Sequence, residues 1–256
     1  MTVSLTCHGL SRSFGALRAV DGVDLDVAPG GRHALIGPNG AGKSTLMHLV
    51  TGALRASDGS VRLGEEDITG MSVVQRARLG ISQTMQQASL FPTMTVSDNV
   101  LLAVQRRHGR VGPWPRRQAA ARRRVDTLLE RIGLAGRGDT IEARLSHGER
   151  KQLELAVALA CEPRLLLLDE PAAGMSPAET ARLAEVIEEL PAEVTVLFVE
   201  HDLDLVFRLA TTVTVLHLGR VLLTGSPAAV RASAAVREAY LGTGRDEPLF
   251  AQRTEA

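Results

Sequence analysis

Aromatic side chains are scarce: one Trp, one Tyr and five Phe among 256 residues. The core is therefore expected to be aliphatic, and so few rings count against a surface that stacks nucleic-acid bases. Charge of one sign is lacking too, since 29 Lys and Arg balance 29 Asp and Glu. That balance argues against a nucleic-acid coat or a polybasic membrane-surface protein. Two cysteines, Cys7 and Cys161, are too few for a disulfide scaffold and suit a reducing cytosol. No stretch approaches the about 18 uninterrupted apolar residues of a transmembrane helix. The opening MTVSLTCHGL lacks the basic-then-apolar order of a signal peptide. Any membrane role is expected to come through a partner. What is present, 45% hydrophobic and 23% charged residues, is ordinary for a soluble globule of one large or two small domains.

The hydrophobic pattern alternates between strand and helix periods. Val3, Leu5 and Cys7, then Val23, Leu25 and Val27, read as two strands of a small antiparallel sheet. His33 to Ile36 is a short apolar run that breaks into a Gly-rich loop, followed by a helix over Ser44 to Val50. Val61 to Leu63 and the Ile81 region read as further strands. From about 87 to 160 the pattern is mostly helical. A cap at Thr95 to Asp98 starts one helix, and Arg116 to Ile132 forms another. Ser146 and Glu149 have capping-box spacing before a helix that runs to about Ala160. The α/β alternation then returns. Leu165 to Leu168 reads as a buried parallel strand, and Ser176, Pro177 and Glu179 read as a helix start. Val194 to Val199, Val213 to Leu216 and Val221 to Leu223 read as strands. The segment from Gly242 onward lacks periodicity and is expected to be loose.

Gly37-Pro38-Asn39-Gly40-Ala41-Gly42-Lys43-Ser44 fits the G-x-x-x-x-G-K-[ST] phosphate loop. Glycines let successive N–H groups point at phosphate oxygens. Lys43 would reach the β- and γ-phosphates, and Ser44 would offer a hydroxyl to Mg²⁺. Downstream, Leu165 to Leu168 run into Asp169-Glu170-Pro171. Asp169 would hold Mg²⁺, and Glu170 would orient and deprotonate a water. Each also has a plain reading, as a turn that binds nothing or as charged caps on a core strand. His201, in Val199-Glu200-His201-Asp202, is either structural or close to a γ-phosphate.

Together with Leu145-Ser146-His147-Gly148-Glu149, these pieces resemble the nucleotide-binding subunit of an ATP-binding cassette (ABC) transporter, whose signature reads LSGGQ. Ser146 lies 23 residues before Asp169, about where that family places it. The resemblance implies an α/β fold: a P-loop NTPase (RecA-like) core, a small antiparallel β subdomain and an inserted α-helical subdomain at about 87–162. It covers a single domain over 1–242, with a loose tail at 243–256. It also implies roles. Gln86 takes the place of the Q-loop glutamine, touching Mg²⁺ and the attacking water, with Gln87 as an adjacent alternative. Phe14 stands where an aromatic ring stacks on adenine, or else packs at an edge. Gly37 to Thr45 would bind ATP, and Lys43, Gln86, Glu170 and His201 would serve hydrolysis. Ser146 and Gly148 would complete the site of a second cassette, whether an identical chain or a paralogue. They would do so by presenting a helix N-terminus to its γ-phosphate. Ser146 and Glu149 would cap that helix in either case.

His147 and Glu149 depart from the signature consensus, and Ser176 replaces a common Asp. LSHGERKQLELA, DEPAAGMSP and VEHDLDLVF are most similar to the ATPases of importers for branched-chain amino acids, urea or short amides. Expected partners are integral membrane permease subunits and, indirectly, an extracellular solute-binding protein, with the chain at the cytoplasmic face of the membrane. Rival readings are an exporter ATPase of the lipopolysaccharide-transport kind, a soluble cassette acting on nucleic acid, and a module that has lost catalysis. The arginines between Arg106 and Arg124 read as a solvated helical face rather than a nucleic-acid patch, Trp114 as a loop residue and Cys161 as packing.

Overall fold

The structure is a computed structural model that describes residues 2–84, 90–108 and 115–241. The chain opens with strands β1 (Leu5–Phe14) and β2 (Leu17–Val27), then β3 (Arg32–Ile36) and helix α1 (Lys43–Thr51). Strands β4 (Asp58–Leu63) and β5 (Glu66–Asp67), helix α2 (Val73–Arg78) and strand β6 (Ile81–Gln83) follow. Helices α3 (Val96–His108), α4 (Pro115–Arg131) and α5 (His147–Ala160) form the helical stretch. The alternation returns with β7 (Leu165–Asp169), α6 (Pro177–Glu188), β8 (Thr195–Val199), α7 (Leu203–Leu209), β9 (Thr212–His217) and β10 (Arg220–Gly225). Helices α8 (Pro227–Ala232) and α9 (Ala234–Leu241) come last.

Two sheets result. The antiparallel one has the order β2-β1-β4-β5, and the larger has the order β10-β9-β3-β8-β7-β6. In the larger sheet β9, β3, β8, β7 and β6 run parallel and β10 is the antiparallel edge. Its strands are apolar without alternation because both faces are covered. Leu166 and Leu168 pack with α3, α4, α5 and α6 on one face. Leu165 and Leu167 pack with α1 and the antiparallel sheet on the other. In β1 the alternation holds to Cys7 and then slips at Gly9 (φ 54°). Cys7 and Leu10 are both buried, so the period of two breaks where the bulge lies. The strand nonetheless continues to Phe14.

Several starts follow their caps. Thr95 Oγ1 accepts from Asp98 N (3.0 Å) at α3, and Ser146 and Ser176 close capping boxes at α5 and α6. Helix α2 was not legible from the hydrophobic pattern, although Ser72 and Gln75 cap it in the same way. Its Arg76 is 2% exposed. The guanidinium donates to Leu49 O and Val50 O at the end of α1 (both 2.7 Å), and to Thr69 O and Met71 O. Arg76 thus satisfies carbonyls that a helix end leaves unpaired. Arg76→Ala is expected to lower stability by about 3 kcal/mol, since four carbonyls lose a charged donor at once, although Leu49 O keeps the Gly52 N–H. The midpoint of urea unfolding checks this.

Candidate nucleotide and hydrolysis site

The parallel sheet sets the site. Strands β3, β8 and β7 lie side by side, so the loops after their carboxyl ends open on one edge, where α/β folds bind ligands. The loop after β3 is Gly37 to Gly42. Gly37 (φ 151°) and Gly42 (φ 103°) adopt backbone that L residues avoid. A Cβ at Gly37 would collide with the Leu216 carbonyl, and one at Gly42 would come within 2.5 Å of Ala19 O. Gly40 (φ 78°) has open space around it instead. Gly42 caps α1 with no side-chain hydrogen bond, so a side chain does not consume the first N–H groups of that helix. Lys43 is buried, and its ammonium donates to Gly37 O (2.7 Å) and Pro38 O (3.0 Å). Burial pushes its pKa down, while Glu170 and Asp169 pull it back up. The lysine therefore lies within the field of both carboxylates. Ser44 and Thr45 are half-buried on the first turn of α1.

Asp169 ends β7 and is 6% exposed. Its Oδ1 is buried with no hydrogen-bond partner among the described residues. Burial, and then the neighbouring Glu170, raise its pKa. An orphaned carboxylate oxygen at the mouth of a phosphate loop suits a hard divalent cation. Glu170 sits at φ 49°, a left-handed conformation that is uncommon outside glycine. Its N–H donates to Val199 O (2.9 Å), and its Oε1 lies 2.8 Å from His201 Nε2. The structure thus brings Lys43, Asp169, Glu170 and His201 to one sheet edge. Gln86 and Gln87 lie outside the described residues.

Phe14 is 44% exposed, so it is not a core residue. The Arg12 guanidinium stacks on its ring, 4.7 Å from the centroid. Two residues join the site through contacts that local pattern does not reveal. Thr84 is buried; its N–H donates to Leu167 O, and its hydroxyl accepts from Asp169 N (3.4 Å). Tyr240 of α9 is hydrogen-bonded to the Gly37 backbone, and burial pushes its phenol up to about 12.

Ser146 and Gly148 lie at the N-terminus of α5, and their partners are local. Glu149 N donates to Ser146 Oγ (3.1 Å), and Ser146 N donates to Glu149 Oε2 (2.8 Å). Arg137 Nε pairs with Glu149 (3.0 Å). His147 Nε2 donates to Ala173 O (3.1 Å), and a Cβ on Gly148 would run into the Glu179 carboxylate. Within one chain this helix start packs on the loop after β7. Ser176 serves there as the N-cap of α6, which Ser and Asp do about equally well. The arginine stretch behaves as a solvated face where its side chains are described. Arg122, Arg123 and Arg124 are exposed, and Arg124 pairs with Glu162.

Comparison with known proteins accounts for this constellation. The ABC transporter family matches residues 20–173, and a family described as branched-chain amino acid ATP-binding cassette transporter matches residues 220–246. The high-affinity branched-chain amino acid transport ATP-binding protein LivG of Escherichia coli K12 is 37% identical over 249 residues, 93% of this chain and 97% of that protein. Its counterpart BraF of Pseudomonas aeruginosa is 36% identical over the same length and coverage. The crystal structure of the ADP conformation of an ATP-binding cassette of an ABC transporter superposes with a TM-score of 0.80 at 28% identity. It covers 94% of this chain and 100% of that one. Cassettes of this family bind nucleotide, dimerise and drive membrane permeases by hydrolysing ATP, and this chain belongs to the ABC transporter family as an ATP-binding subunit.

Proposed function

We propose that this chain powers an importer of branched-chain or other amino acids, or of urea or short amides, from the cytoplasmic face of the membrane. The observation that carries the hydrolytic part is the 2.8 Å contact between Glu170 and His201, beside buried Lys43 and the orphaned Asp169 oxygen. In this reading the Gly37 to Thr45 backbone and Lys43 hold the phosphates of ATP. Ser44 and Asp169, with Gln86, would hold Mg²⁺, which when bound neutralises phosphate charge as the terminal phosphoryl leaves. Glu170 accepts the proton of the attacking water, and His201 orients Glu170 and contacts the γ-phosphate. Phe14, already stacked by Arg12 on one face, offers its other face to adenine. Ser146 and Gly148 complete the site of a second cassette.

The solute assignment rests on the 220–246 match and on the relatives at 36–37% identity. Among the described residues no helix is long and apolar enough to cross a membrane, so the permease must supply the pathway. A cleft of about 400 Å³ between α2, β6 and α5 is lined by Val73, Gln83, Thr84, Leu90, Glu154 and Val157, and Thr84 and Leu90 flank Gln86 in sequence. We place the permease contact there. The test is Mg²⁺-dependent ATP hydrolysis by the purified chain, together with uptake of labelled leucine by native cells with and without it. Leucine uptake that is unaffected by deletion overturns the branched-chain assignment and leaves the other solutes of this group. Phe14→Ala is expected to raise the KM for ATP about three- to tenfold, the worth of one aromatic stacking contact. Phe14→Trp should restore it in the same titration.

A further inference from the structure

Glu200 follows the last residue of β8 and is 5% exposed, although it is an acid. Its carboxylate is shared between two loops. Oε1 accepts from Ala172 N (2.8 Å) in the loop after β7, and Oε2 accepts from His201 N (3.0 Å) in the loop after β8. The N–H of Asp202 adds a third hydrogen bond. Burial raises the carboxyl pKa, and these three donors oppose that shift. On the other side of the same junction, Glu170 N donates to Val199 O (2.9 Å). The two exit loops are therefore stitched twice, once through main chain and once through the Glu200 carboxylate. Glu170 and His201 sit at that junction.

This arrangement demands a carboxylate. Two acceptor oxygens must face N–H donors on opposite sides, and an amide of the same size would turn its NH₂ toward one of them. Glu170 also holds a left-handed φ of 49°, a conformation that persists only where the surroundings over-determine it. Burying a carboxylate is costly unless it is fully hydrogen-bonded, and here the bonds converge on the residues that flank the reacting pair.

We propose that Glu200 is a positioning residue for ATP hydrolysis: it pins the loops after β7 and β8 together and so holds His201 against Glu170. The inference rests on the hydrolytic roles given above to that pair. The Glu200 carboxylate is taken up by the main-chain N–H groups of Ala172, His201 and Asp202, so it acts through them.

The experiment measures steady-state hydrolysis by the full chain across ATP concentrations, alongside thermal unfolding, for wild type, Glu170→Gln, Glu200→Gln and Glu200→Asp. Aspartate keeps both oxygens but falls short of Ala172, so it severs the cross-loop bond while leaving charge in place. Both Glu200 variants are expected to lose about ten- to a hundredfold in kcat, the effect of a displacement near 1 Å at reacting groups. KM should stay within twofold, and the unfolding temperature should fall by a few degrees while the variants remain folded at the assay temperature. A kcat within twofold of wild type in the folded variants overturns the inference, as does a loss that appears in KM instead. If Glu170→Gln turns over like wild type, the proposed roles of the pair fall first, and the two failures are thereby told apart.

Discussion

Replacing Glu170 with Gln is expected to lower ATP turnover by about 10²–10⁴-fold, the range a positioned general base supplies, while ATP binding is retained. Glutamine keeps the size of the side chain, and the main-chain bond from residue 170 to Val199 O does not depend on it. Lys43 and the glycine loop are untouched, so the phosphates keep their donors. What is lost is the only carboxylate within hydrogen-bond reach of His201 Nε2 at this edge among the described residues, and with it the proton acceptor. Asp169 cannot substitute, because its unpartnered Oδ1 is the oxygen assigned to the cation. Binding without turnover should trap two chains around ATP. The variant should elute as a dimer with ATP and Mg²⁺ and as a monomer with ADP, while wild type exchanges between the two. Steady-state hydrolysis at the wild-type rate would remove Glu170 from its proposed role.

How much of this was legible in the sequence depends on how far apart the interacting residues lie. The glycine loop, the Asp169-Glu170 pair and the Ser146 and Ser176 caps are local patterns, and the elements around them form where the spacing places them. The doubly covered strands were legible as unbroken apolar runs, because burial on both faces removes alternation. Strand β1 beyond Cys7 was not, since the bulge at Gly9 shifts the inward phase by one residue. Helices α2, α7, α8 and α9 are six to eight residues long, too short to establish a period of 3.6. Thr84, Glu200 and Tyr240 act through partners that are distant in sequence. Thr84 meets Asp169, Glu200 meets Ala172, and Tyr240 meets Gly37. A buried acid directly before a histidine at a strand end was the one available clue to Glu200, and it is visible only once burial is known.

The signature residues yield a second large effect, which tests how many chains make one site. Among the described residues Ser146 is engaged by Glu149, Gly148 lies against the Glu179 carboxylate, and His147 between them bonds Ala173 O, so this helix start is held by the loop after β7 and the start of α6. If Ser146 and Gly148 serve a second cassette, each site draws Lys43 from one chain and Ser146 from the other. Ser146→Asp is the informative change. Aspartate caps a helix as well as serine does, so α5 should keep its start, but a negative charge would now face the partner's γ-phosphate. Lys43→Ala removes the cation from the other half of the same site. Each variant alone is expected to lose on the order of 10²–10³-fold in hydrolysis, as when one preorganised electrostatic contact to the transition state is removed. Mixed in equal amounts and allowed to reassort, they should recover about a quarter of wild-type activity. Half of the two-fold dimers would then carry one site with both changes and one with neither. The readout is phosphate release against mixing ratio. A mixture as inactive as its components would mean that the chain hydrolyses ATP without its partner's helix, or that neither site turns over alone. The Glu170→Gln dimer distinguishes these, because only shared sites hold two chains together through ATP.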